Sequence, residues 1–181
     1  MRIISGNFKG RRFNPPVNKA TTRPTMDMAK EGLFNILSNY LDFNRVKVLD
    51  LFGGTGSISF EFLSRECIDA TIVESNTSLV RFIGTVSTTL QTDKQLKIIK
   101  DDALKFIRKT HEHFDLIFAD PPYDYRHYDE LVNEVFGRGL LKPGGMLIIE
   151  HDKTRDFSGH LHFYDIRIYG TSRFSFLRLR T

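Results

Sequence analysis

Residues 48–59 read Val48-Leu-Asp-Leu-Phe-Gly-Gly-Thr-Gly-Ser-Ile-Ser59, a short apolar strand that runs into a glycine loop and then into a helix. Glycines at such a junction let the backbone come close to a ligand. What lies on either side decides whether this is one turn or part of a repeating plan. Upstream, Val46–Phe52 reads as the strand that feeds the loop. Downstream, strand and helix patterns alternate: a helix over Ser57–Glu66, a strand Ala70–Glu74, a helix Ser78–Leu90, a strand Leu96–Lys100 and a helix Ala103–Lys109. A fourth strand, Leu116–Ala119, and a helix near Tyr128–Phe136 follow. Pro143-Gly-Gly145 then turns into a fifth strand, Met146–His151. Short buried strands alternating with helices predict a mostly parallel sheet covered on both faces. The tail differs: Phe163–Tyr169 and Arg173–Leu179 are aromatic-rich runs joined at Gly170-Thr-Ser. They predict an antiparallel hairpin at the sheet edge, seven strands in all.

Before this unit, RIISGNFKGRRFNPPV (residues 2–17) has short apolar pieces around Gly6 and Gly10, read as a small β-hairpin or arm. A one-sided helix over Met26–Tyr40 follows, with Ala29, Leu33, Phe34, Ile36, Leu37 and Tyr40 on its apolar stripe and Thr25 as its N-cap. Residues 1–40 are therefore expected to form a basic extension, and residues 41–181 the main α/β domain.

Of the 181 residues, 40% are hydrophobic and 27% charged, ordinary values for a globular chain. No run approaches the roughly 20 apolar residues of a membrane span, and the start has no secretory pattern, so a cytoplasmic protein is expected. The single cysteine, Cys67, excludes an internal disulfide framework and reads as a small packed residue. The six histidines lack zinc-site spacing, so no metal is expected. Charge is uneven. Residues 1–30 carry seven Lys and Arg against Asp27 alone, a segment of +6 in a chain of net +4. A cationic segment broken by phenylalanines and turn residues suits a nucleic-acid backbone. The candidate contacts are Lys9, Arg11, Arg12, Arg23, Thr25 and Lys30.

The loop's neighbours narrow its ligand. No Lys-Ser/Thr follows the glycines, which excludes a P-loop. Asp50 stands three residues before Gly53. A pyrophosphate placed near it would be repelled by roughly 4 kcal/mol at 4 Å and an effective dielectric of about 20. A cationic ligand without phosphate fits, and S-adenosylmethionine is one. Glu74, at the end of the second strand, can accept both ribose hydroxyls. Asp102 is placed to reach an adenine edge, with Asp101 and a plain helix-cap role as competing readings. The expected cofactor set is Asp50, Phe52, Gly53, Gly54, Thr55, Gly56, Glu74, Asp102 and Ala103.

The fourth strand ends in Asp120-Pro-Pro-Tyr123. An exocyclic amine attacks a methyl group poorly because its lone pair is delocalised into the base. The Asp120 carboxylate and the Pro121 carbonyl can accept its two N–H bonds, aim the lone pair and stabilise the charge that develops. Pro121 and Pro122 fix φ and remove competing donors. Tyr123 offers a face for stacking an extruded base, worth roughly 1–3 kcal/mol. The competing reading is an ordinary turn with proline at its corner.

With these residues the sequence resembles the class I S-adenosylmethionine-dependent methyltransferases. More narrowly it resembles the RsmD family of bacterial ribosomal RNA guanine-N2 methyltransferases. The resemblance rests on "RIISGNFKGRRF", "RPT" (Arg23-Pro24-Thr25), "EGLFNIL" (Glu31–Leu37), "LDLFGGTGSIS", "VES" and "DPPY", and covers nearly the whole chain. It implies a Rossmann-like sheet, S-adenosylmethionine as cofactor and methylation of one guanine N2 in 16S ribosomal RNA. It also implies Asp120, Pro121 and Tyr123 as catalytic, and Gly53, Gly54, Gly56 and Glu74 as lining the cofactor site. Met28 and Lys30 depart from the pattern, standing where arginines are expected. With no separate RNA-binding domain, a partly assembled small ribosomal subunit is the expected substrate. An adenine-N6 methyltransferase of DNA or RNA and a catalytically silent RNA-binding module are the alternatives.

Overall fold

Alternation along β1 (Lys47–Leu51) organises the molecule: Val48 and Asp50 point to one face of the sheet, Leu49 and Leu51 to the other. In this computed structural model, which describes residues 1–16, 24–122 and 124–179, each face is buried beneath helices. The strands are β1, β2 (Asp69–Val73), β3 (Leu96–Ile99), β4 (Phe114–Ala119), β5 (Leu141–His151), β6 (Phe163–Tyr169) and β7 (Ser172–Arg178), in the order β3-β2-β1-β4-β5-β7-β6. The first five run parallel, and β7 is antiparallel to both β5 and β6. The expected seven-stranded sheet with a C-terminal hairpin is present. Its order reverses between β1 and β4, the place where a doubly wound sheet opens a crevice at its carboxyl ends.

Helices α1 (Pro24–Leu37), α2 (Ser57–Ser64) and α3 (Thr77–Leu90) cover one face. Phe34, Phe60, Phe62 and Ile83 meet Val48, Ile72, Phe118 and Ile148 there. Helices α4 (Ala103–Lys109) and α5 (Tyr128–Gly137) cover the other, where Ile107, Leu131 and Val135 meet Leu49, Leu51, Ile117 and Leu147. Each such buried side chain contributes about 1.5–3 kcal/mol relative to exposure. Cys67 is buried, as expected, and burial pushes its thiol up to about 11.

Three expectations change in detail. Helix α1 starts at Pro24, whose fixed φ suits a first helical position, so Thr25 lies inside the helix and is not its N-cap. The helix ends at Leu37, and Tyr40 is 47% exposed, outside the core stripe. The N-terminal segment is the small hairpin expected: around the antiparallel Arg2–Arg12 bridge, Ile3 N–H donates to the Arg11 carbonyl at 3.0 Å and Phe13 N–H to the Met1 carbonyl at 2.9 Å. Finally, β5 begins at Leu141, so Pro143-Gly144-Gly145 lies within the strand. A register shift against β4 between Phe114 and Leu116 accommodates the missing proline N–H.

The N-terminal arm is fastened to α2. Ile4 N–H donates to Glu61 Oε1 at 2.6 Å, Phe8 N–H to Ser64 Oγ at 2.9 Å and Asn7 N–H to the Ser64 carbonyl at 2.7 Å. Lys30, on α1, donates to the Arg2 carbonyl at 2.6 Å and Ser57 Oγ at 2.9 Å, and pairs with Glu61 at 3.0 Å. Arm, α1 and the helix behind the glycine loop are thus joined through one carboxylate. Among the described residues no helix is long and apolar enough to cross a membrane.

Candidate active site

Leu51 ends β1, and the chain turns at once through Phe52, a non-glycine residue at φ +60°. Strain of this kind is held only where surrounding bonds impose it. Here Gly53 N–H donates to the Val73 carbonyl at 2.9 Å and Gly54 N–H to Glu74 Oε2 at 2.8 Å. The glycine loop is therefore strapped to the end of β2. Gly53 is required by packing, since a Cβ there would lie 2.2 Å from Ile72 Cγ1. Gly54, at φ +56°, takes the left-handed conformation that favours glycine, and a Cβ there would meet only the Phe52 carbonyl oxygen, at 3.7 Å. Thr55 is half-buried in the loop, and Gly56 caps α2 with no side chain of its own.

Asp50 supplies the missing cap from β1. Its Oδ2 accepts from Ser59 N at 3.1 Å and from Ser59 Oγ at 2.6 Å, and the residue is 2% exposed. Burial pushes its carboxyl up to about 7; the two Ser59 bonds oppose that shift and the Glu74 charge adds to it. Asp50 thus holds α2 behind the loop. Glu74, 8% exposed, accepts Gly54 N–H on one oxygen and Asn76 N–H on the other, at 2.7 Å. Each oxygen keeps a second lone-pair direction for a hydroxyl.

Asp102 sits at the start of α4 and accepts Lys105 N–H at 3.0 Å, the helix-cap role. Asp101 in turn accepts the Asp102 N–H at 2.8 Å, and Ala103 is the buried first residue of the helix.

Asp120 follows β4 directly, beside the loop, with its N–H 3.4 Å from the Leu51 carbonyl. It reaches solvent, but protein atoms crowd its carboxyl group. That desolvation, then the charges of Glu150 and Asp50, hold its pKa well above the usual carboxylate range. Pro121 is buried and Pro122 exposed. The Pro122 carbonyl accepts Tyr125 N–H at 2.8 Å and closes the turn. Tyr123 and Arg23 lie outside the described residues, and of Thr25 only the helical backbone is within them.

Two residues emerge that the motifs did not single out. Glu150, next to the end of β5, joins Asp120; an acid at a strand tip, like Asp50, Glu74 and Asp120, was the available clue. Tyr125 packs its ring edge-on against Phe52 with centroids 5.0 Å apart. Its hydroxyl is buried with no partner among the described residues. An orphaned buried hydroxyl beside the glycine loop is what a polar ligand edge would satisfy. The strand tips thus carry Glu74, Asp50, Asp120 and Glu150 on β2, β1, β4 and β5, four adjacent strands. The loop 52–57 has neither Lys nor Arg. Such surroundings repel phosphate and suit a cation that carries hydroxyl groups, so these residues fit S-adenosylmethionine.

The charged arm splits. Lys9, Arg11 and Arg12 are exposed, as expected for backbone contacts. Lys30 is not: it is 7% exposed, with its ammonium taken by Glu61, Ser57 and the Arg2 carbonyl. Its assignment to RNA is corrected to a structural one.

The family model described as conserved hypothetical protein 95 matches residues 1–178. A Haemophilus influenzae protein named ribosomal RNA small subunit methyltransferase D is 32% identical over 158 residues, covering 86% of this chain and 80% of that one. The chain belongs to the RsmD family. Solved structures agree on the fold. The Escherichia coli protein yhhF superposes with a TM-score of 0.84 at 24% identity, covering 97% of this chain and 96% of that one. An S-adenosylmethionine-dependent methyltransferase of Agrobacterium tumefaciens gives 0.64 at 20% identity, covering 86% and 62%. In this RsmD-family chain the "LDLFGGTGSIS" and "VES" motifs that carried the resemblance meet in the Gly54–Glu74 bond.

That bond yields a test. Glu74→Ala removes the acceptor of two backbone N–H groups, and hydrogen bonds to charged groups contribute about 1.5–3 kcal/mol each. Calorimetry with S-adenosylmethionine should show affinity reduced by roughly 10–100-fold. Unchanged affinity would remove Glu74 from the site.

Proposed function

We propose that this chain transfers a methyl group from S-adenosylmethionine to the exocyclic N2 of a guanine in 16S ribosomal RNA, in the cytoplasm. The observation that carries the reading is the placement of Asp120 at the tip of β4, across from a glycine loop strapped to Glu74. The name of the Haemophilus relative supports the substrate class. When bound, the cofactor supplies a methyl group on a sulfonium. Asp120 and the Pro121 carbonyl accept the two amine N–H groups and hold the nitrogen toward the loop. The Asp120 carboxylate is then the nearest acceptor for the proton the nitrogen must lose. Tyr123 stacks on the extruded base. Gly53, Gly54, Thr55, Gly56, Phe52 and Glu74 line the cofactor side, with Asp50, Asp102 and Ala103 supporting them.

Residues 1–40 serve as the RNA-contacting extension of the methyltransferase domain 41–181, with Lys9, Arg11, Arg12 and Arg23 on phosphates. So small a cationic surface favours a partly assembled small subunit, whose proteins present the base. The test is transfer of labelled methyl into small subunits from cells that lack this protein, compared with protein-free 16S RNA. Label in the particle RNA, at least about tenfold above free RNA, is expected. No label in either would overturn the proposal, and equal label would overturn the particle as substrate.

A further inference from the structure

The four carboxylates at the strand tips differ in their company. Glu74 and Asp50 accept backbone N–H groups, whereas no described residue donates a hydrogen bond to Asp120. What stands beside Asp120 is another acid. Ala119 pairs with Ile149, so Asp120 and Glu150 are the next residues along two parallel neighbours about 4.8 Å apart. Ala119 and Ile149 face the α4–α5 side, and the two acids therefore point to the opposite face. Asp50, opposite Phe118, shares that face of β1. Glu150 thus flanks Asp120 on the side away from the glycine loop. Ser172, at the start of β7, lies close enough to favour the charged form of Glu150.

We propose that Glu150 is a positioning residue for methyl transfer, which acts through Asp120 and sets the pH below which transfer stops. This rests on the assignment of Asp120 as the amine acceptor. A neighbouring carboxylate makes a second negative charge harder to place, so Asp120 takes up a proton at higher pH than an isolated aspartate would. Crowding by protein atoms comes first, and the charge of Glu150 next, among the causes that raise the Asp120 pKa. Once protonated, Asp120 no longer accepts both charge and N–H, and transfer falls. The other group facing Asp120 is Asp50 on β1. His151, the neighbour of Glu150, turns to the other face against Phe157 and Ser175, and burial lowers its pKa. The arm, residues 1–30, holds no histidine to confuse the profile.

The test is the pH dependence of kcat/KM, which reports free-enzyme groups, measured between about pH 5.5 and 9. Glu150→Gln removes the charge and should move the acid limb down by on the order of one pH unit. Glu150→Asp keeps the charge and should leave the limb near that of the unsubstituted protein. Ser172→Ala lets Glu150 hold its proton longer and should give a smaller downward move. An acid limb unmoved in both Glu150→Gln and Ser172→Ala would overturn the proposal. So would loss of more than roughly 100-fold at every pH in a Glu150→Gln protein that melts normally, the mark of a group acting directly. Should Asp120→Ala instead remain active, the underlying assignment fails, a result distinguishable from either of these.

Discussion

Asp120→Ala is expected to lower methyl transfer by roughly 100- to 1,000-fold, the usual cost of removing one group aimed at charge that develops in the transition state. The substitution leaves the glycine loop, Glu74 and Asp50 in place, so S-adenosylmethionine should still bind. Asp120→Asn keeps the size and one oxygen acceptor but loses the negative charge, and should retain more transfer than Asp120→Ala. Full transfer by Asp120→Ala would remove the acceptor assignment, whatever the RNA.

The second large effect is on stability. Glu61 is fully buried on α2 and serves Lys30, Arg65 and the Ile4 N–H together. Burial lowers the Lys30 pKa, and Glu61 is the chief influence that holds it up. Arg65 also lies over the Phe34 ring, 4.3 Å from its centroid, so the network is locked to the core. Removing one partner of such a buried pair costs about 3–5 kcal/mol, because the remaining charge keeps its desolvation penalty. For a chain of this size Glu61→Ala should lower Tm by on the order of 10 °C. It should also weaken RNA binding, since the arm loses its anchor at Ile4. A Tm within about 2 °C of the unsubstituted protein would mean that Arg65 and the arm are held by other contacts.

The fold was legible because its decisive cues are local. Apolar runs such as Leu116–Ala119 end at glycines or prolines, and the helices between them are short and amphipathic. The loop and the Asp120 motif could be placed on the same edge of the sheet by the strand order that such repeats adopt. What was hidden depends on pairings distant in sequence. Lys30 looked like one more surface cation, yet its carboxylate partner lies 31 residues on, in another helix. Glu150 carries no motif of its own, and its place beside Asp120 follows only from the register of β5 on β4. Asp50 read as a ligand-facing charge, and the chain uses it first to cap α2, because Gly56 has no side chain to do so. Pro143 argued for a turn, but a bulge let the strand begin before it.

Oxygen acceptors at the tip of β4 are proposed to hold a guanine amine toward a methyl donor. Mass spectrometry of nucleosides from small subunits treated with the protein and labelled S-adenosylmethionine tests this most directly. N2-methylguanosine as the labelled product is the predicted result. N6-methyladenosine as the sole labelled nucleoside, or label on no nucleoside at all, would contradict it.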